Sequence, residues 1–329
     1  MIDADRPTLH IRCGSDIREP LRAAGFTGDF LEYADPVFAG PLPDGPTLVA
    51  SRAHTIATFL GPYLGLTEAA CLATLQEAEQ RLSTAHHYER VVLWFEHDCY
   101  DQSILARCLS RLAEGPLPAR LELICIDRHP DIPRFLGLGQ LSPAALAALW
   151  PTRQPVTPEQ IALAQAIWTA LRQSDPLQLQ AVAATATPAL PIAAPALWRH
   201  LRELPGTHDG LSLTQRLILD ILAEAPTAIG QVFAALVNGR EPQPFMGDIQ
   251  LLATVEAMAR TSTPVLLIEP GEKPFPRRAT ITATGRRVHA MAVDYLSLHP
   301  PPRWVGNVAA NGRWRWDEVA ACVSSGRSQ

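Results

Sequence analysis

Several local motifs that would identify a cofactor or metal site are missing from this sequence. It contains neither a P-loop nor a G-x-G-x-x-G pattern, so nucleotide binding through those glycine-rich turns is not indicated. It also contains no H-E-x-x-H motif, and none of its six cysteines forms a C-x-x-C pair. A zinc site with tight ligand spacing is therefore not indicated. The sequence therefore does not identify a cofactor. It also leaves open whether a metal is bound, because the scattered histidines and acids supply enough oxygen and nitrogen donors.

The chain also has few features of a secreted or membrane protein. Its cysteines lie mostly in apolar periodic segments, which is typical of reduced, buried thiols rather than of a disulfide framework. The segment from Met1 to Pro7 has no apolar core like that of a signal peptide. The uncharged stretch Pro176–Trp198 contains prolines and weakly hydrophobic alanines, whereas a spanning helix needs about 20 strongly apolar residues. We therefore expect a cytoplasmic protein with no membrane partner.

An excess of positive charge is missing as well. The chain has 28 Lys and Arg against 33 Asp and Glu, and its net charge is −5 at pH 7. A nucleic-acid binder would need a local basic patch, because the overall field is mildly repulsive to phosphate. The length of 329 residues and the apolar content of 47% are sufficient for two globular domains.

Apolar runs in the first part of the chain predict the strands of one sheet. They are Leu9–Cys13, Phe30–Tyr33, Val91–Phe95 and Leu121–Ile126. Helical patterns alternate with these runs, which predicts a mainly parallel sheet covered on both faces, in a Rossmann-like α/β domain over residues 1–145. We expect a helical connector over residues 146–206 and a winged-helix-like α+β domain over residues 207–329.

Local signals place the helices of the first domain. Asp16 and Glu19 have the spacing of a capping box at the start of the first helix, and Gly25 is expected to end that helix. A later helix is expected to begin at Asp98 or Tyr100, directly after the third strand.

Capping signals continue through the rest of the chain. Thr157-Pro158-Glu159-Gln160 combines an N-cap, a proline at the first helical position and a capping glutamine. Ser212 and Gln215 form a similar pattern, and Thr284 is expected to cap a helix near the C-terminus. Further predicted elements are the helices Thr67–Ser83, Thr214–Glu224, Ile229–Val237 and Asp248–Thr261 and the strands Val265–Ile268 and Arg278–Thr282. Three helices followed by a hairpin is the order of a winged helix-turn-helix.

Each predicted strand of the first domain runs into a polar cluster, and parallel strands would bring these clusters to one sheet edge. The densest cluster is Glu96-His97-Asp98. We expect His97 to be a general base, Asp98 to orient it or bind a metal, and Glu96 to share the catalytic site. Asp101 and Gln102 are expected to point toward the same edge. The alternative is that Asp98 caps the next helix and that Glu96 and His97 are loop residues.

A second candidate region follows the first strand, at Gly14, Ser15 and Asp16. Glycine lets a ligand approach the backbone closely, and the free N–H groups of a helix start can bind phosphate. A carboxylate at Asp16 would oppose a bare phosphate unless a metal or a hydroxyl group lay between them. The alternative is that Asp16 only caps the helix.

The remaining ligand-binding candidates are Asp35, Arg52, Asp127 and His129. Asp35 precedes a proline, and its alternative role is turn formation. Arg52 could clamp an anion or form a surface salt bridge. Asp127 and His129 follow the fourth strand, where ordinary loop polarity is the alternative.

The predicted third helix of the last domain disfavours DNA as a partner. It carries Asp248 and Glu256 against only Arg260, which is poor for a helix that reads a duplex. Near the C-terminus, Trp314 and Trp316 alternate with arginines. This pattern indicates an aromatic packing segment with cation–π support.

The segment Trp94–Gln102 resembles the bacterial family called domain of unknown function 1835. Three more motifs occur in the family's order: His10–Asp16, Asp35-Pro36 leading to Gly40-Pro41, and Arg52. The resemblance covers about residues 8–130. Where this chain has Gly14-Ser15-Asp16, the family more often has Gly-Asp-Ser. The resemblance implies that the four polar clusters belong together, and it implies no particular reaction.

These patterns predict a protein that binds a small polar or phosphorylated ligand at the carboxyl edge of the sheet. If it is an enzyme, hydrolytic or group-transfer chemistry is favoured. The alternative is a ligand-sensing regulator or scaffold that acts through its winged-helix-like domain on DNA or on a protein partner. A homodimer is left open.

Overall fold

A five-stranded sheet forms the centre of the N-terminal part of the chain. The computed structural model describes residues 1–185 and 187–326. The strands are β1 (Thr8–Arg12), β2 (Asp29–Glu32), β3 (Arg90–Glu96), β4 (Arg120–Ile126) and β5 (Gln154–Pro155). Their order is β2-β1-β3-β4-β5; the first four are parallel, and β5 is antiparallel to β4. The four strands predicted from apolar runs, and the mainly parallel α/β sheet, are confirmed.

Six helices precede β5 in the chain. They are α1 (Arg18–Ala24), α2 (Leu48–Phe59), α3 (Gly61–Leu64), α4 (Glu68–Ser83), α5 (Cys99–Leu112) and α6 (Pro143–Leu149). Helix α4 follows an N-cap at Thr67, as predicted. Helix α5 follows an N-cap at Asp98, whose side chain accepts a hydrogen bond from the backbone N–H of Asp101.

The start of α1 differs from the prediction. Its N-cap is Ile17, and no side chain caps it. The carboxylate of Asp16 instead accepts hydrogen bonds of 3.1 Å from Nε and Nη2 of Arg12. The predicted capping box of Asp16 and Glu19 is therefore wrong, because a buried guanidinium competes for the Asp16 oxygens. Gly25 ends the helix in a left-handed conformation with φ of 94°, as predicted.

The middle of the chain is helical, as expected. It contains α7 (Pro158–Leu171), α8 (Leu177–Ala184) and α9 (Ala193–Leu201). Thr157 and Gln160 form the predicted capping box at the start of α7. Pro195 lies in the first turn of α9, where a proline removes no helical hydrogen bond.

Both faces of the large sheet are covered by helices. Leu93 and Phe95 of β3 pack in one core cluster with residues of α4, α5, α7 and α9. Val92 and Trp94 point to the opposite face and pack with residues of α1 and α6. All seven residues of β3 are buried. This explains why its sequence is a continuous apolar run rather than an alternating one.

The C-terminal part forms a second core with a small antiparallel sheet. Its elements are α10 (Leu213–Glu224), β6 (Thr227–Ala228), α11 (Ile229–Ala235), α12 (Asp248–Met258), β7 (Leu266–Ile268), β8 (Arg278–Ile281) and α13 (Ala283–His289). The strand order is β6-β8-β7. The capping box of Ser212 and Gln215 is confirmed. The predicted cap Thr284 is wrong: the hydroxyl of Thr282 accepts from the backbone N–H of Gly285 at 3.0 Å, so α13 begins earlier.

The last strands return to the first core. They are β9 (Trp304–Val305), β10 (Val308–Ala309), β11 (Trp314–Asp317) and β12 (Cys322–Ser325). Trp316 and Val323 are each 6% exposed and belong to the cluster that contains the large sheet. The predicted packing role of this aromatic segment is confirmed for Trp316. Residues 327–329 of the predicted last domain lie outside the described ranges. None of the helices in those ranges has both the length and the hydropathy needed to cross a lipid bilayer.

Candidate functional site

Arg12 lies at the centre of the candidate site. It is the last residue of β1, and its side chain is 3% exposed. Its Nη2 atom lies 2.9 Å from Oε2 of Glu96, at the end of β3. The same guanidinium donates to Asp16, as described above, and to Oδ1 of Asp101 in α5. These contacts follow from the parallel register, in which Arg12 pairs with Trp94 and the carboxyl ends of β1 and β3 lie side by side.

Asp101 connects the two strand ends. Its Oδ1 atom also accepts a 2.9 Å hydrogen bond from the backbone N–H of Glu96. Its Oδ2 atom accepts from Sγ of Cys13 at 3.0 Å. Burial and the charge of Asp101 raise the pKa of the Cys13 thiol well above its usual value. Burial therefore favours the neutral thiol of Cys13, whose side chain packs in the core cluster of the large sheet.

A fourth carboxylate, Asp98, lies beside this group. Its Oδ1 atom accepts from the backbone N–H of Asp101 at 2.8 Å. One ligand oxygen from each of Glu96, Asp98 and Asp101 lies within 4.8 Å of the others. These three side chains could therefore hold a divalent cation, for which carboxylate oxygens are suitable ligands. We call Arg12, Asp16, Glu96, Asp98 and Asp101 the carboxylate cluster.

The carboxylate cluster contains more negative than positive groups. Burial and the neighbouring charge of Asp101 raise the pKa of Glu96 to about 8. The same two causes raise the pKa of Asp98 well above its usual range. Burial alone would lower the pKa of Arg12, but the surrounding acids raise it overall. In water-poor surroundings, like charges disfavour full ionisation. The pKa of about 8 favours a protonated Glu96 at pH 7 when no cation is bound, and burial favours the neutral form of Asp98 in the same way.

A turn after β4 covers the carboxylate cluster. The backbone N–H of Leu138 donates to Oε2 of Glu96. A Cβ atom at Gly137 would collide with the Glu96 carboxylate, and one at Gly139 would lie 2.9 Å from Oδ2 of Asp16. Only glycine permits so close an approach of backbone and carboxylate. The sequence reasoning missed this turn, although its Gly-Leu-Gly pattern was a usable signal.

His97 borders the same turn from the other side. Its ring centroid lies 5.8 Å from that of Phe135, and its buried Nδ1 atom has no hydrogen-bond partner in the described ranges. Burial lowers the pKa of His97, opposed by the charges of Asp127 and Asp101. The ring is therefore neutral at pH 7 and can accept a proton. Within residues 1–185 and 187–326, Asp98 makes no hydrogen bond to this ring and serves as the cap of α5.

Arg52 and Asp35 form a separate buried pair. Arg52 is 1% exposed. It donates from Nε to Oδ1 of Asp35 at 2.8 Å, from Nη1 to the carbonyl of Ala39 at 2.7 Å, and from Nη2 to the carbonyl of Pro36 at 2.9 Å. These bonds fix the proline-rich loop before α2. Neither residue hydrogen-bonds to the carboxylate cluster in the part of the chain that the structure describes.

The other predicted residues have mixed positions. Gln102 is buried, and its Nε2 atom donates to the carbonyl of Glu96. Gly14, Ser15 and Asp16 form a partly exposed rim. Asp127 is half-exposed and pairs with the neighbouring Arg128 at 3.3 Å. The Nδ1 atom of His129 accepts from the backbone N–H of Asp131 at 3.3 Å. Asp127 and His129 therefore behave as loop residues.

The structure thus brings the ends of β1 and β3 and the first turn of α5 together, and leaves Asp35, Arg52, Asp127 and His129 at the periphery. Arg12, which connects the cluster, was not among the predicted site residues. Its signal was a charged residue within the predicted strand Leu9–Cys13. No protein-family model and no curated protein sequence matches the chain. The resemblance to the domain of unknown function 1835 therefore stays a prediction.

Proposed function

We propose that the carboxylate cluster binds a small polar ligand and supports hydrolytic or group-transfer chemistry on it. The observation that carries this proposal is the shared guanidinium of Arg12, which faces more buried acids than it can neutralise. An excess of buried acids, with the pKa shifts that it causes, is typical of functional sites. In this proposal the N-terminal unit is Rossmann-like, and the ligand lies at the carboxyl edge of β1 and β3, between which the strand order reverses.

The proposed roles follow from the protonation states. When no cation is bound, Glu96 carries a proton at neutral pH and acts as the general acid. His97 is neutral and acts as the general base, since its Nδ1 atom is held by no neighbouring donor or acceptor among the described residues. Gly14 and Ser15 form the rim through which the ligand enters.

The charge of the cluster restricts the ligand class. Ligands with hydroxyl or amino donors match the carboxylate oxygens, whereas a bare phosphate would be repelled. A phosphorylated ligand is compatible only with a divalent cation between it and Glu96, Asp98 and Asp101. Chelation should therefore abolish turnover of phosphorylated substrates and spare that of neutral ones.

A turnover screen tests this proposal. Acetate esters of polyols and of amino alcohols, and phosphate monoesters, all of which carry a bond that water can cleave, are offered to the full chain with Mn²⁺ or with EDTA. We expect Glu96→Gln and His97→Ala to abolish any turnover with little change in the melting temperature. His54→Ala is the matched control, because His54 is 68% exposed and pairs with Glu68 on the surface. Unchanged turnover in both site variants would contradict the proposal.

One observation favours a second function, that of a ligand-sensing regulator. Nε2 of Gln243 donates to the carbonyl of His97 at 2.6 Å. Nη2 of Arg134 donates to the carbonyl of Glu241 at 2.9 Å. Both contacts join loops of the candidate site to the C-terminal unit. The helix order and the strand order β6-β8-β7 support a winged-helix-like form for that unit.

DNA is a poor partner for this second function. Helix α12, which corresponds to the DNA-reading helix of a winged helix, faces the N-terminal unit, and Oε2 of its Glu256 accepts from the hydroxyl of Tyr63 at 2.8 Å. We expect a labelled duplex to show no salt-dependent binding, since α12 is covered and carries acidic side chains. Salt-dependent binding would instead support the regulator.

A further inference from the structure

A large cavity lies apart from the carboxylate cluster, between the two units. Its volume is about 810 Å³, within the range of about 300–1,000 Å³ that is typical of small-molecule sites. The loop Pro36–Pro41 and helix α2 form one wall. Helix α12 and the segment Tyr295–Trp304 form the other. Most of the lining is apolar, and it includes Phe38, Phe59, Met246, Leu296 and Trp304.

One arginine in the cavity wall has unused hydrogen-bond donors. Within the described ranges, the side chain of Arg303 forms no hydrogen bond, and its closest carboxylate oxygen, Oε2 of Glu203, lies 3.8 Å from Nη1. The other oxygen of Glu203 accepts from Nη1 of Arg199 at 2.9 Å and from the hydroxyl of Thr214 at 2.7 Å. One oxygen of Glu203 is thus committed to other partners, whereas Oε2 faces Arg303 at a distance too long for a hydrogen bond, so the charge of Arg303 is only partly compensated.

The surroundings of Arg303 make this charge unusual. Burial lowers its pKa, but an arginine stays protonated at physiological pH. The side chain retains 28% exposure, and Arg303 is part of the cavity lining. Among the other lining residues, His54 pairs with Glu68, Glu256 pairs with Arg277, and Arg260 is exposed just after the end of α12. Tyr295 is buried in the lining near Arg303.

We propose that this cavity binds an amphipathic organic anion, with its apolar body against the lining and its carboxylate or phosphate head on Arg303. A charged hydrogen bond to an arginine is stronger than a neutral one, and the apolar wall supplies the remaining affinity by removing hydrocarbon surface from water. The cavity is distinct from the carboxylate cluster. Phe38 of the lining packs on Tyr100 with ring centroids 5.8 Å apart, and the hydroxyl of Tyr100 donates to the carbonyl of Cys13. Tyr100 therefore lies between the cavity and Cys13, which borders the cluster.

Calorimetric titration of the full chain tests this proposal with three ten-carbon probes: decanoate, decyl phosphate and decanol. We expect at least one of the two anions to bind about tenfold or more tightly than decanol. Arg303→Gln should remove that preference and leave the decanol affinity unchanged. Arg303→Lys should keep part of it, because the charge remains. Arg313→Gln is the matched control, because Arg313 is exposed and lies outside the lining.

Four results would overturn the proposal, three of them with the ten-carbon probes and one with inorganic phosphate. One is binding of neither anion, and another is equal affinity for decanol and both anions. The third is anion binding by Arg303→Gln that equals that of the unsubstituted protein. If Arg303→Gln does not fold, the comparison is made with Arg303→Lys, which must lose affinity for an anion and not for decanol. Inorganic phosphate that binds as tightly as decyl phosphate would also contradict an amphipathic ligand.

Discussion

The Nη2 atom of Arg12, at the end of β1, lies 2.9 Å from the carboxylate of Glu96, at the end of β3. Both side chains are almost completely buried, at 3% and 8% exposure. This guanidinium also serves Asp16 and Asp101. One positive charge therefore balances several acids in surroundings where each unpaired charge is unfavourable. The excess negative charge must be balanced by protons, by a cation or by a ligand. Changes at Arg12 and Glu96 should therefore show how the site is balanced.

Replacing Arg12 tests its role as the common counter-charge. Arg12→Met should lower the free energy of unfolding at pH 7 by about 3–5 kcal/mol, because it leaves buried carboxylates without a partner. Urea denaturation at pH 7 measures this loss.

Arg18→Met is the matched control for that experiment. Arg18 pairs with Glu32 at 2.8 Å, but the two side chains are 35% and 36% exposed. Removing a partly solvated ion pair is expected to change stability by about 1 kcal/mol or less. An Arg12→Met variant as stable as this control would show that Arg12 does not hold the carboxylate cluster together.

The pH dependence of stability should contain a contribution from Glu96. Its pKa is raised in the folded protein to about 8, from 4.5. A raised folded pKa contributes stability that is fully present below the unfolded value and is lost as the pH rises through the folded value. The free energy of unfolding should therefore fall between pH 4.5 and about pH 8. Glu96→Gln, a neutral isostere, should flatten this part of the curve, whereas Glu19→Gln on the exposed surface should not.

Several features of this account could be predicted from local sequence and others could not. The apolar run at Val91–Phe95 predicted β3, and the caps at Thr157 and Ser212 predicted α7 and α10, because these signals lie within a few residues. The contact of Arg12 with Asp101 joins positions 89 residues apart. It depends on the strand order and register, which no local pattern specifies.

The interpretations of Asp16 as a helix cap and of Arg52 as a surface residue were wrong for the same physical reason. An acid at a helix start looks like a cap, but at Asp16 a buried guanidinium competes for the carboxylate oxygens. Arg52 looked like a surface or anion-binding residue. Its donors are instead taken by Asp35 and by two carbonyls of the preceding loop, in contacts formed only in the folded chain.

The glycine turn over the cluster gives a further prediction. Gly137→Ala should lower the free energy of unfolding by about 1–3 kcal/mol, because the added methyl group collides with the Glu96 carboxylate. It should also open the turn and expose Glu96. Gly115→Ala is the control, since a Cβ atom there meets nothing within 4 Å. Thermal unfolding of the two variants measures the difference, and equal stability would contradict a tight cover.

The protonation state of His97 can be measured directly. Burial lowers its pKa, so its ring should remain neutral as the pH falls through the usual value of 6.5. Nitrogen NMR of the imidazole rings should show two rings that protonate late as the pH falls. One is buried His200, whose pKa is lowered to about 4 by burial, and the other is the ring that is absent from His97→Ala. A His97 ring that is charged at pH 7 would exclude the proposed general base.

The most direct test of the central claim is a carboxyl-carbon NMR titration of the full chain in EDTA, with Glu96→Gln as the assignment variant. We expect a glutamate carboxyl that titrates at a pH of about 8 and disappears in that variant. If the cluster binds a divalent cation, Mg²⁺ that is free of Mn²⁺ and added in excess should shift this carboxyl signal. If Glu96 titrates near its ordinary value of 4.5, the cluster does not hold a proton for catalysis, and the proposed acid–base site is contradicted.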